Sequence, residues 1–234
     1  MKFKKKIGIL GGMGPLASCF LYKKIIMQAQ VDYQAVQDFE FPEIILHSIG
    51  LKGFDETGIV DYDQIKKQLV EGVKVLEKGS ADFIIVNCNT VHIFFDDLSD
   101  AVDIPILHLI DETVKHVSNI GVKKVGFIAS ETTNELGLYN KALNNKGIEC
   151  VKLVKEEQEL VNKMILNIMV GKNTKKDSDL MYKFMNKMIQ DGAEAIILGC
   201  TELPMLISKK SISGVSIFDS VEIISKVSLE YSLG

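Results

Sequence analysis

Phe83-Ile84-Ile85-Val86-Asn87-Cys88-Asn89-Thr90-Val91-His92 opens with four apolar residues and stops abruptly at Asn-Cys-Asn-Thr. A short apolar run bounded by polar turn formers reads as a buried strand. Cys88 then stands at the carboxyl end of that strand, with a histidine four residues on. By itself such a cysteine has three readings. Free cysteine is among the most buried residue types and often only packs. A Cys/His pair four apart could share one helix face as half of a metal site. A thiol at the carboxyl edge of a parallel sheet could be catalytic, because ligands of such sheets bind beyond that edge.

Working outward, short β-branched runs alternate with longer amphipathic stretches. Strands are expected at 6–10, 43–49, 83–87, 106–109, 124–129, 147–153, 195–198 and 216–218. Helical spacing of apolar residues marks 15–31, 61–78, 111–119, 133–146, 155–170, 178–190 and 219–231. This alternation predicts an α/β protein with parallel sheets and right-handed crossovers.

The chain also resembles itself. Ser80-Ala81-Asp82-Phe83-Ile84-Ile85-Val86-Asn87-Cys88-Asn89-Thr90 lines up with Gly192-Ala193-Glu194-Ala195-Ile196-Ile197-Leu198-Gly199-Cys200-Thr201-Glu202, allowing a one-residue offset at the start. Cys88 and Cys200 are 112 residues apart. Lys6-Ile7-Gly8-Ile9-Leu10 matches Lys124-Val125-Gly126-Phe127-Ile128 at a spacing of 118. Two strand-loop units recurring in one order at nearly one period imply two related α/β halves. If the halves pack about a pseudo-twofold axis with these edges facing, two thiols point into one cleft.

Composition narrows the function classes. The 234 residues are 47% hydrophobic and 25% charged, as in ordinary soluble domains. A net charge of −4 without a basic stripe argues against a nucleic-acid partner. The basic start and Leu16-Ala17-Ser18-Cys19 resemble an export signal, but Gly8, Gly11, Gly12, Gly14 and Pro15 interrupt its apolar region. No run approaches a membrane span. Scattered cysteines at 19, 88, 150 and 200 suit reduced thiols, so a cytoplasmic location is expected.

Cys19 and Cys150 have no duplicate and read as packing residues. Cys88 and Cys200 each stand where an apolar strand stops, where the first turn of a following helix would favour a thiolate. Zinc lacks a second close ligand pair, so no metal is expected. Gly12-Met13-Gly14-Pro15-Leu16-Ala17 fits G-x-G-x-x-A after a strand, but the second strand ends in His47-Ser48 without the acidic residue a dinucleotide site wants. The loop reads instead as a cradle of backbone N–H groups for an anion or carboxylate. Two opposed thiols near neutral pKa can remove a proton from one face of a carbon and return one to the other.

Together, ILGGMGP, NCNTVH, GCTELP and IPILHLIDET resemble the cofactor-independent aspartate/glutamate racemase family over nearly the whole chain. Glutamate racemases usually carry histidine after the second Cys-Thr; Glu202 here favours the aspartate and broad-specificity branch. The resemblance implies two α/β domains related by pseudo-twofold symmetry with the active site in the cleft between them. We expect residues 1–109 plus 215–234 in the first and 110–214 in the second. It implies Cys88 and Cys200 as acid/base residues of a racemase needing no cofactor and no metal. Substrate would be bound by Gly12, Met13, Ser48, Asn89, Thr90, Val91, Ser130, Thr133, Lys172 and Thr201. Aspartate or glutamate are the leading substrates, with a broader set open, and a homodimer is expected. Hydantoin racemisation, maleate-type isomerisation, decarboxylation or ligand binding without turnover are the alternatives. Two positions depart from the aspartate-specific pattern: LHSIGLKGF has no arginine, and Val170 stands where a lysine is usual, with Lys172 close by.

Overall fold

The β-branched runs become two parallel sheets. The computed structural model describes residues 3–55 and 58–234. Met1, Lys2, Glu56 and Thr57 of the expected first domain lie outside the described residues. In the first unit, Ile7–Gly11 form β1, followed by helix α1 at Pro15–Tyr33 and strand β2 at Ile44–Ser48. A small antiparallel hairpin, β3 at Phe54–Asp55 and β4 at Gly58–Ile59, precedes α2 at Tyr62–Lys78. Then come β5 at Phe83–Val86, α3 at Phe95–Ser99, β6 at Ile106–Leu107 and α4 at Leu109–Ser118. The sheet order is β2-β1-β5-β6, all parallel. β1 and β5 are buried throughout because helices cover both faces. Ile7, Ile9, Phe83 and Ile85 pack on one side with Leu21 and Ile25 of α1, while Leu10, Ile84 and Val86 meet Ile65 and Leu69 of α2 on the other.

The second unit repeats the plan. Its elements are β7 (Lys124–Ile128), α5 (Glu131–Leu136), α6 (Leu138–Asn144), β8 (Glu149–Val151), α7 (Lys155–Met169) and α8 (Lys175–Gln190). They continue with β9 (Ala195–Leu198), β10 (Ser211–Ile212) and β11 (Val215–Asp219). The order is β10-β11-β9-β7-β8, parallel except for β10. Read from β8, the parallel strands run second, first, third, fourth, as they do in the first sheet. The last helix, α9 (Ser220–Leu233), returns the chain to the first unit.

The duplication extends to individual bonds. Asp82 N donates to Lys6 O at 2.9 Å, and Glu194 N to Lys124 O at 2.8 Å. The same two acidic side chains accept from the backbone N–H groups of Lys6 and Lys123, each at 2.6 Å. Lys6 pairs with Glu43, and Lys124 with Glu149, across the first and second strands of each sheet. Gly8 and Gly126 share a cause: a Cβ would meet Ala81 Cβ at 2.9 Å in one and Ile196 Cδ1 at 2.6 Å in the other. The register pairs Phe83 with Ile7 and Ala195 with Val125, so the repeat needs no offset at its start.

Several local expectations are corrected. The helix expected over 133–146 is broken at Gly137, whose φ of 66° ends α5 and starts α6. The segments after the two cysteines are 3-10 turns, Thr90–Phe94 and Leu203–Leu206, in place of α-helical first turns. The hairpin, α3 and β10 are too short for periodicity to reveal. The chain divides into two compact units, Met1–Glu112 with Val221–Gly234, and Thr113–Ser220. The second unit therefore runs on through β11, because that strand pairs with β9. No helix among the described residues is long and apolar enough to cross a membrane.

Candidate active site

In each sheet the chain steps from the first strand to the second on one side and then crosses back to the third on the other, so the first and third strands bracket the switch point where α/β ligands bind. The third strands end at the two cysteines. Asn87 N donates to Leu10 O, and Gly199 N to Ile128 O, both at 2.9 Å, closing the last rung in each half.

In the first unit, Cys88 N turns back to Val86 O at 2.9 Å. Cys88 is 5% exposed and packs with Val86, Val91 and Phe94. His92 fixes this turn. Leu109 N donates to its Nε2 at 3.2 Å, so the ring proton sits on Nδ1, which donates to Cys88 O at 2.7 Å. Burial pushes the His92 pKa down to about 3; nearby His108, with ring centroids 5.0 Å apart, adds to the fall, and the Cys88 bond opposes it. His108 is itself lowered, chiefly by burial, against the pull of Asp111. Both ring nitrogens of His92 are thus held by backbone, which suits a strut and not a metal ligand. Among the described residues, no group of three or more His, Cys, Asp or Glu could hold a metal ion.

In the second unit, Cys200 is 8% exposed and its Sγ donates to Glu202 Oε2 at 3.2 Å. Thr201 Oγ1 donates to the same oxygen at 2.9 Å, and Glu202 is only 6% exposed. Across the sheet edge, Ser130 caps α5, its Oγ accepting from Thr133 N at 3.3 Å and lying 2.9 Å from Thr133 Oγ1. Gln158 Nε2 anchors the preceding turn through Ala129 O at 2.9 Å. The Tyr139 phenol is fully buried, and burial foremost pushes its pKa upward; hydrogen bonds with Thr113 and Ser220 oppose this, while Asp219 and Cys200 add to it. The residue stays a neutral donor at ordinary pH.

The residues named from sequence fall into groups. Asn89, Thr90 and Val91 are buried beside Cys88. Ser130 and Thr133 are bonded to each other, and Thr201 is tied to Glu202 beside Cys200. Gly12 has a φ of 102°, and a Cβ there would strike the Ile49 backbone. Its N–H already donates to Ser18 Oγ at 2.9 Å, so it is not the exposed cradle donor the motif suggested. Met13 is buried in the core with Leu10 and Cys88. Ser48 ends β2 on the exposed edge of its sheet. Lys172 is exposed in the turn after α7, its backbone N–H held by Asn167 O at 2.7 Å. Sequence reasoning assigned no role to His92 or Glu202, although Cys-x-x-x-His and Cys-Thr-Glu were both visible. Asn87, a polar neighbour of Cys88 expected to hydrogen-bond, is 1% exposed, and its side-chain amide finds no hydrogen-bond partner among the described residues.

Known proteins resemble this chain in sequence and fold. The broad specificity amino-acid racemase RacX of Bacillus subtilis (strain 168) is 30% identical over 221 residues, spanning 94% of this chain and 95% of its own. An aspartate racemase homologue from Pyrococcus horikoshii OT3 superposes with a TM-score of 0.83 at 33% identity, covering 98% of this chain and 100% of that one. The Picrophilus torridus aspartate racemase gives a TM-score of 0.83 at 26% identity, over 97% of this chain and 94% of its own. The sequence profile of Asp/Glu/Hydantoin racemases matches residues 10–226. With two like α/β units and a match over nearly its full length, the chain belongs to the Asp/Glu/hydantoin racemase family of isomerases.

Proposed function

We propose that the chain racemises α-amino acids without a cofactor, with Cys88 and Cys200 as a pair of acid/base groups. One observation carries the reading: a duplicated backbone brings a buried cysteine to the same strand end in each unit. One sulfur, as thiolate, takes the proton from Cα; the electron pair is left on Cα and spreads into the carboxylate. The other, as thiol, delivers its proton to the opposite face and is left as thiolate. The reverse reaction exchanges the two roles, which suits two chemically alike groups. Backbone and side-chain donors of Asn89, Thr90, Val91, Ser130 and Thr133, and the backbone N–H of Thr201, are assigned to the developing carboxylate charge.

Aspartate and glutamate are the first substrates to try. The broad specificity for which the Bacillus subtilis relative is named, and an LHSIGLKGF segment without arginine, support a wider range. Incubating single L-amino acids with the chain in deuterium oxide is expected to give the D-enantiomer carrying deuterium at Cα. A chiral separation finding no D-isomer from any common amino acid overturns the proposal. The working form is assigned as a homodimer, which sedimentation of the purified chain checks.

A further inference from the structure

The two thiols share a backbone setting, yet Cys200 has a carboxylate on its sulfur where Cys88 has a histidine on its carbonyl. Glu202 Oε2 accepts from Cys200 Sγ at 3.2 Å and from Thr201 Oγ1 at 2.9 Å. All three residues are at least nine-tenths buried, so water screens the contact little. Ionising Cys200 would set a thiolate against a carboxylate at hydrogen-bond distance, a like-charge pair that disfavours the second ionisation. At the other strand end the corresponding strut is His92, whose neutral ring bonds to the backbone carbonyl of Cys88 and not to its sulfur.

We infer that Glu202 is a positioning residue that holds Cys200 in its thiol form, so that the resting chain carries the proton on Cys200 and leaves Cys88 as the sulfur that ionises. The inference rests on the two-cysteine reading above and sharpens it. Proton abstraction from Cα then starts at Cys88: the Cα–H bond breaks and a Cys88 S–H bond forms. Cys200 gives its proton to the opposite face, its S–H electron pair staying on sulfur beside Glu202. Before the next turnover the Cys88 thiol releases its proton to water and Cys200 takes one from water, so both sulfurs return to their starting forms with no net proton change. Thr201 holds the carboxylate rotamer that receives this S–H.

Iodoacetamide labelling of the full chain, followed by mass spectrometry of each cysteine peptide, reads the thiol states without any substrate. In the unaltered chain Cys88 is expected to label faster than Cys200. In Glu202→Gln, labelling at Cys200 should rise about tenfold or more, because each pKa unit is tenfold in thiolate. Cys88 should change less than about twofold. Exposed Cys19, and Cys150, whose burial pushes its thiol up to about 11, serve as internal references and stay constant. Thr201→Val keeps the charge, so Cys200 should label no faster there. No rise at Cys200 in Glu202→Gln overturns the inference, as does an equal rise at all four cysteines, the mark of a loosened fold. Failure of deuterium uptake by the unaltered chain would remove the racemase reading while leaving this labelling result in force.

Discussion

The loops at Cys88 and Cys200 are built alike and furnished differently. Both follow the third strand of a sheet of the same order, both close on the first strand through a 2.9 Å bond, and both continue into a 3-10 turn. Around Cys88 stand an amide, a hydroxyl and a neutral imidazole; beside Cys200 stand a carboxylate and a hydroxyl. The backbone accounts for the equivalence of the two thiols, and single side chains account for their inequality. Asn87 against Gly199 shows the same division. The first half keeps a buried amide, whereas a Cβ at Gly199 would overlap the Phe127 ring.

The sharpest way to break the equivalence is to remove either sulfur. Cys88→Ala and Cys200→Ala should each lower racemisation by about 10²–10⁴-fold, as expected for loss of an acid/base group. Substantial turnover surviving in either one, measured by chiral chromatography, would break the pairing. Next in size is the imidazole strut. His92→Leu deprives Cys88 O and Leu109 N of their bonds to the ring, and should cost about 2–4 kcal/mol in urea unfolding.

The same histidine gives the first unit an acid sensitivity. Its folded pKa of about 3 lies below the ordinary 6.5, so in that window the unfolded chain binds the extra proton. Stability is full above about pH 6.5 and falls as pH drops toward 3, by about 2 kcal/mol at pH 5 from this group. His108 pulls in the same direction. The pH dependence of the unfolding midpoint should be visibly flatter in His92→Leu. The smallest effect contrasts the residues before the thiols. Asn87→Leu removes a buried amide that has no partner among the described residues and should raise stability by about 1 kcal/mol, while Gly199→Ala should lower it by about 1–3 kcal/mol. Calorimetry showing both changes with the same sign would refute the contrast.

Much of the fold was legible because the repeat sits in residues with fixed backbone duties. Ala81-Asp82 and Ala193-Glu194 recur because each acid accepts from the backbone N–H of the neighbouring strand's entry. Gly8 and Gly126 recur because neither has room for a Cβ. Such constraints leave a mark in sequence. The break at Gly137 does not, since a lone glycine is compatible with a continuing helix until its φ is known. Site chemistry was legible at the duplicated cysteines and opaque around them. Nothing in Cys-x-x-x-His says that the ring turns to backbone, 17 residues ahead at Leu109. Nor does Cys-Thr-Glu say that the carboxylate folds back onto the sulfur two residues earlier.

One further consequence follows from the path of the chain through the first unit. Its core joins Ile7, Ile9 and Phe83 to Val221, Ile224 and Leu229, and Ser232 O accepts from the backbone of Lys4 and Lys5 at 2.7 and 3.0 Å. The second unit is one uninterrupted stretch, Thr113–Ser220. On a translating ribosome, the later-encoded unit therefore has all its residues first. The earlier-encoded sheet must wait, without the cover of α9, until that helix has itself been made. Apolar surface left open during such an interval is what makes incompletely folded chains prone to aggregate.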